Sequence, residues 1–368
     1  MTAFLTTDER VQSFVAHSAG VTRADLVREL RVATPTVISA VRRLLGAGTI
    51  VEDDGPPPGS TRGRPSRRLH APGPAPRLGL LRWSDGVART TLIGFDGTPL
   101  AEEPLDDAGD LDAAAAQIRR LAGAAPVRAM VVSVPAPLLS TGGAQGVPSP
   151  KSDAHGFPIL VENDANLAAL GEQHHGGAAT TGDFVYLKLT NREFGAAIVT
   201  NGRLVRGTHG YAGEIAHLQI DADGPLCACG GRGCLRSQVH SLVVDTAQAA
   251  YEHAVTFAGL AGLAATGNAG AARILHDIGR TIGRPLAQLC TFLDPATVIV
   301  DDTIGAAAEP IAAGLRSAFT THAPPAIAAH VPVAVSTLGP SAERQGALEL
   351  TREPARTGHH TGSRNGFR

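Results

Sequence analysis

Three cysteines and one histidine have the residue types and spacing to do chemistry. Cys227, Cys229 and Cys234 lie in the run Cys-Ala-Cys-Gly-Gly-Arg-Gly-Cys, and His217 stands ten residues ahead of the first. Three thiolates and one imidazole satisfy the closed tetrahedral shell of structural Zn²⁺, and Gly230, Gly231 and Gly233 let the loop fold tightly around an ion. No coordination position is left open for water or substrate, so the predicted cofactor is structural zinc with no reaction of its own. From spacing alone, the alternative is three unrelated buried thiols. Cys290, inside an apolar helical stretch, reads as core. A second cluster, Glu162-Asn163-Asp164-Ala165-Asn166, reads on its own as the capped start of a helix that continues through Leu167 to Leu170.

These residues need a scaffold, and a chain of 368 residues is long enough for two or three lobes. Aromatics are only 4% while glycine and proline number 43 and 25, so the cores must be packed with Ala, Val, Leu and Ile. No basic start leads into an apolar signal region and no long uncharged apolar run occurs, which predicts a cytoplasmic protein with no membrane partner. In that reducing compartment clustered thiols point to metal and not to disulfides. The net charge of −2 hides an asymmetry, because residues 1–70 carry a net charge of +3. Lysine occurs only at 151 and 188, so nearly every cation is a guanidinium, suited to bidentate phosphate and guanine contacts; codon bias produces the same preference.

Apolar residues recur at helical spacing in three short runs, 11–15, 24–30 and 37–45. Thr22 and Thr34 are the expected N-caps of the second and third helices, with Pro35 at the first helical position of the third and Gly46 and Gly48 ending it. Residues 49–52 read as a strand, 53–63 as a Pro/Gly tip, and 67–69 as the returning strand. This is a winged helix-turn-helix over 1–70, followed by a stiff Pro-rich linker at 71–76. In such a unit the start of the third helix meets base edges, which places Thr34, Thr36, Val37 and Ser39 toward bases. Arg42, Arg43, Arg62, Arg64, Arg67 and Arg68 are then phosphate or minor-groove contacts. The competing reading is a trihelical interaction module with solvated arginines. From 77 onward strands and helices alternate, giving one α/β lobe over 77–165 and a second over 166–335. The last strand at 331–336 and the helix from Ser341 are expected to return to the first lobe, completing it over about 336–351, and 352–368 reads as a disordered tail.

The stretch Gly213-Glu214-Ile215-Ala216-His217, followed by Cys227-x-Cys229-Gly-x-x-Gly-Cys234-Leu235, resembles the signature of the ROK family of repressors, open reading frames and sugar kinases. The run 162–166 is similar to its substrate-binding segment, and 202–207 and 338–347 to further landmarks. The resemblance covers nearly the whole chain. It implies an N-terminal winged helix-turn-helix joined to a two-lobed actin-like, ribonuclease H-like ATPase fold, with zinc below a sugar pocket, and a homodimer or dimer of dimers.

The chain departs from the kinase members at three glycine loops that hold ATP, where backbone N–H groups must approach phosphate unobstructed. The first reads Leu81-Arg82-Trp83-Ser84-Asp85-Gly86, the second Asn191-Arg192-Glu193, the third Asp301-Asp302. An indole and several carboxylates stand where small residues should be, so the nucleotide site is degenerate and no catalytic residue is expected. The resemblance places Asn163, Asp164, Glu214 and His217 at hydroxyl-binding positions, with His217 able to serve zinc and ligand through its two nitrogens. Arg236 replaces a family acid, which suits an acidic or phosphorylated sugar. The function so implied is a DNA-binding repressor whose sugar-kinase-like sensor changes lobe closure when a sugar or sugar phosphate binds, altering operator affinity. An effector-independent DNA binder and an active sugar kinase are the alternatives.

Overall fold

Val11, Val15, Leu26, Val37, Val41 and Leu44 are all buried in one small core, which explains why the first 50 residues fold as three short helices. These are α1 (Thr7–Ala16), α2 (Arg23–Leu30) and α3 (Thr34–Gly46). The computed structural model describes residues 6–16, 18, 20–53, 67–73, 75–84, 87–94, 96–107, 109–138, 155–190, 194–251 and 255–352. Thr22 caps α2 as expected and forms a full capping box with Asp25. Thr34 does not cap α3: the N-cap is Ala33, whose carbonyl accepts from the Thr36 and Val37 amides, so the helix starts one residue early and Pro35 sits in its first turn. After α3, β1 (Val51–Glu52) pairs antiparallel with β2 (Leu69–His70), and Val21 bridges Leu69 from the other side. Glu52 accepts from Arg23 and lies 3.6 Å from Arg67, tying the base of this ribbon to α2. The tip between the strands, with Arg62 and Arg64, lies outside the described residues, as does the expected tail from 353 onward.

Contacts divide the chain into two units, Met1–Leu81 with Ala88–Val131 and Lys151–Leu160, and Arg82–Val87 with Val132–Pro150 and Val161–Arg368. A five-stranded sheet of order β5-β4-β3-β6-β7 is formed by β3 (Arg77–Ser84), β4 (Val87–Ile93), β5 (Pro99–Leu105), β6 (Val127–Val134) and β7 (Ile159–Asn163). Within the first unit α4 (Leu111–Ala122) precedes β6, capped by Asp110.

In the second unit α5 (Asp164–His175) leads to β8 (Phe184–Leu189), β9 (Phe194–Thr200) and β10 (Arg203–Val205). Then come α6 (Leu235–Ser241), α7 (Ala247–Ala250), α8 (Phe257–Ala265), the long α9 (Ala269–Leu293), β11 (Thr297–Val300), α10 (Ala308–His322), α11 (Pro325–His330), β12 (Val333–Val335) and α12 (Ala342–Arg352). The sheet order is β10-β9-β8-β11-β12, with β11 parallel to both β8 and β12. β12 therefore extends this sheet and does not return to the first one. β8 is buried on both faces, as a strand covered by helices on each side must be. Alternation sends Phe184 and Tyr186 toward Ala165, Ala168 and Ala169 of α5, and Val185 and Leu187 toward α9 and α10.

α12 packs on α5 at backbone contact. A Cβ on Gly171 would lie 2.1 Å from the Ala342 carbonyl oxygen, and one on Gly346 would lie 1.7 Å from that of Leu167, so only glycine permits this crossing. Among the described residues no helix is long and apolar enough to cross a membrane.

Candidate functional site

An open cleft lined by Asn163, Asp164, Lys188, Thr190, Gly213 and Glu214 among others lies within the second unit. Its floor is built at the β7–α5 junction. Asn163 is the N-cap of α5: its Oδ1 accepts from the amides of Ala165 and Asn166 at 2.9 and 3.1 Å, and its Nδ2 donates to the Ala136 carbonyl at 3.3 Å. Asn163 therefore already serves the fold. Glu162, 2% exposed, accepts from the Asn163 amide and Asn166 Nδ2 through one oxygen and from Arg206 Nε at 2.8 Å through the other. A buried carboxylate with this many donors is an anchor beneath the cleft.

Asp164 faces the cleft with Lys188 Nζ 3.7 Å from its Oδ2, and Lys188 donates to Glu343 Oε2 at 2.8 Å. Ser133 donates to the other oxygen of Glu343. Burial pushes the Asp164 carboxyl up to about 6, with the Lys188 ammonium pulling the other way and Glu343 adding to the rise. Burial opposes the Lys188 charge too, but Glu343, Asp164 and Asp301 more than offset it and hold the ammonium above its ordinary value. Glu343 suffers the same desolvation, and Lys188 nonetheless holds it below the usual carboxylate range. Sequence reasoning missed Lys188, Glu343 and Ser133. One signal was available: Lys188 is one of only two lysines and interrupts an apolar strand.

Of the five residues expected to contact ligand, Asn163, Asp164 and Glu214 line the cleft, while His217 and Arg236 do not. Lys188 is the only cation among the described lining residues, and it is held by two carboxylates. At the expected third glycine loop, Asp301 is buried and internally satisfied, accepting from Tyr186 Oη at 2.9 Å and Thr303 Oγ1 at 2.8 Å. Burial and that neighbouring charge raise the Asp302 carboxyl. Trp83 is half-buried at the end of β3, while 85–86 and 191–193 lie outside the described residues.

His217, Cys227, Cys229 and Cys234 converge, their donor atoms all within 4.8 Å of one another. His217 Nδ1 lies 3.7 Å from Cys227 Sγ, and Cys229 Sγ 3.6 Å from Cys234 Sγ. A tetrahedron with Zn–S bonds of about 2.3 Å has edges of about 3.8 Å, so these separations fit that ion. Hydrogen bonding by the Cys229 amide lowers the Cys227 thiol against its own burial, while burial raises the Cys234 thiol, so the sulfurs share charge unequally when no ion is bound. The loop is closed by Gly233, whose φ of +59° and position 1.5 Å (for a Cβ) from the Asp221 carbonyl admit no side chain. Cys234 then caps α6, so an ion here would fasten the loop to that helix.

On α3, Thr34, Thr36, Ser39 and Arg42 are exposed as expected for a DNA-facing helix. Val37 is 0% exposed and packs in the trihelical core, so it cannot meet a base; the apolar side chain that faces outward is its neighbour Ile38, 39% exposed. Arg43 is exposed but engaged, donating from Nε and Nη2 to Asp8 at 2.8 and 2.6 Å. Arg67 and Arg68 are exposed beside the ribbon.

The xylose repressor of Bacillus spizizenii is 26% identical over 196 residues, 53% of this chain and 51% of that protein. The chain spans about half the length of the curated relatives it matches. A solved ROK family transcriptional regulator, described as a homolog of the E. coli MLC protein, superposes with a TM-score of 0.70 at 22% identity, covering 94% of this chain and 95% of that one. A ROK family glucokinase from Streptomyces griseus, solved with glucose and AMPPNP, gives 0.61 at 23% identity, covering 76% of this chain and all of that one. The α/β fold with two mixed sheets is thus the actin-like sugar-kinase fold. The sequence profile described as ROK family matches residues 128–353, more than half of the molecule, and the chain belongs to the ROK family.

Proposed function

We propose that this protein is a transcriptional repressor that binds double-stranded operator DNA through an N-terminal winged helix-turn-helix and senses a sugar through a non-catalytic kinase-like domain. The observation that carries the reading is α3: a thirteen-residue helix with no acidic side chain, an outward face of Thr34, Thr36, Ser39 and Arg42, and a two-stranded ribbon beside it. The fold comparison supports it, since the regulator spans 94% of the chain and the glucokinase 76%. Asp302 stands, half-buried beside the buried Asp301, where a kinase of this family offers glycines, so polyphosphate meets a carboxylate there. The protein acts in the cytoplasm as a homodimer or dimer of dimers, with Zn²⁺ held by His217, Cys227, Cys229 and Cys234 in a purely structural role.

The cleft suits a neutral sugar, with Asp164 and Glu214 accepting from hydroxyls. Differential affinity of that sugar for the DNA-competent state is what links the two activities. Footprinting of the full-length protein on DNA flanking its own gene should show a protected site, with protection altered by one member of a sugar panel. Labelled ATP and hexoses should yield no sugar phosphate; phosphate transfer would return the chain to the kinases. Protection unchanged by every sugar would favour an effector-independent DNA binder.

The arginines separate into two expected classes. Arg42→Ala should weaken DNA binding on every sequence and reduce the slope of log affinity against log salt by about 1, the signature of a lost phosphate contact. Arg43→Ala should leave that slope nearly unchanged, because its guanidinium is committed to Asp8. Fluorescence anisotropy across a salt series reads both.

A further inference from the structure

The buried stripe of α3, Val37, Ala40, Val41 and Leu44, fixes what the helix presents outward. The residues it leaves exposed include Thr34, Pro35, Thr36, Ile38, Ser39, Arg42 and Arg43. Ile38, 39% exposed, is the one large aliphatic side chain among them; one turn away lie the exposed Thr34, Pro35 and Arg42 and the buried core residue Val41. Arg42, one turn on, is exposed, and the helix carries no acidic side chain. An exposed apolar group beside Arg42, on a helix with no acidic side chain, complements one surface in particular. In the DNA major groove the C5-methyl of thymine is the apolar group on the base edges, flanked by phosphates. At about 1.5 Å of rise per residue, Ile38 lies about 6 Å from the first residue of α3, within the part of a recognition helix that meets bases.

We propose that Ile38 reads the methyl group of a thymine in each half-site and is a specificity-determining residue. The proposal rests on the DNA-binding reading above. The side chain offers only methyl and methylene groups, so it selects by contact. A cytosine at the same place would present an amino group that Ile38 cannot accept from, leaving a donor without a partner at a dry contact.

The test begins with enrichment of bound sequences from a random duplex library by the full-length protein. Each thymine of the selected half-site is then replaced by uracil, which keeps every hydrogen-bonding group and deletes only the methyl. At one thymine per half-site, uracil is expected to lower affinity about fourfold, the value of burying one such group. Ile38→Ala is expected to bind thymine and uracil equally there, and being exposed it should melt as the wild type does. Uracil without effect at every position, or an undiminished uracil penalty in Ile38→Ala, would overturn the proposal while leaving DNA binding intact. Failure to enrich any sequence would overturn the DNA-binding reading itself, and this proposal with it.

Discussion

Replacing both Cys227 and Cys234 by serine should lower the melting temperature by roughly 10 °C and abolish zinc binding. The loop from 218 to 234 has little apolar core of its own: Ile220 and Leu226 are exposed, and it is held by turns and cross-loop bonds such as the Cys227 amide to the Gly231 carbonyl at 2.8 Å and the Ile220 amide to the Gly233 carbonyl at 2.9 Å. A cation held there would contribute folding free energy directly, as structural zinc sites do. Losing about 3–4 kcal/mol in a domain of this size corresponds to roughly 10 °C, at about 2–4 °C per kcal/mol. Metal analysis should find one zinc per chain in the wild type and none in the variant, and a chelator should reproduce the thermal shift. A wild type that carries no metal and melts identically with chelator would refute the site.

The second large effect is expected at Lys188. Its side chain is 7% exposed and stands between Asp164 and Glu343, themselves 16% and 14% exposed. Lys188→Met strands two buried carboxylates, and breaking a buried pair in this way costs about 3–5 kcal/mol. The pH dependence has a definite sign. Glu343, held below its ordinary value, stabilises the fold at neutral pH and loses that contribution as pH falls through its depressed value. Asp164, raised to about 6, works oppositely: its charge costs stability above about pH 6, and the cost fades as it takes up a proton below that. Without the ammonium both carboxyls shift upward, so the deficit of the variant should be largest near pH 7.5 and narrow toward pH 5. Urea melts at the two pH values check this; an equal deficit at both would show that the ammonium does not compensate the carboxylates.

What could be read from the chain beforehand followed local rules. The helical runs 11–15, 24–30 and 37–45 all fall within α1, α2 and α3, because apolar residues at helical spacing must share one face. The Thr22 cap was legible because its partner, Asp25, lies within one turn. Thr34 failed as a cap because the three-residue link from α2, Arg31-Val32-Ala33, delivers Ala33 to that position first. Val37 failed as a base contact because the 3.6-residue period that identified the helix also assigns 37 to its core face. The four metal-site residues were legible because their side chains are a chemical type seldom clustered otherwise. The Lys188 network was not, since Glu343 lies 155 positions away in sequence and only the packed helices bring it near.

That packing has a further implication. Asp164 and Glu343 belong to different helices, and the separation of those helices is set where Gly171 and Gly346 let main chain touch main chain. The balance of three ionised groups is thus governed by two residues that bear no charge and never meet them. A single added methyl at that joint acts as a wedge, and its first casualty is an electrostatic arrangement rather than a hydrophobic one.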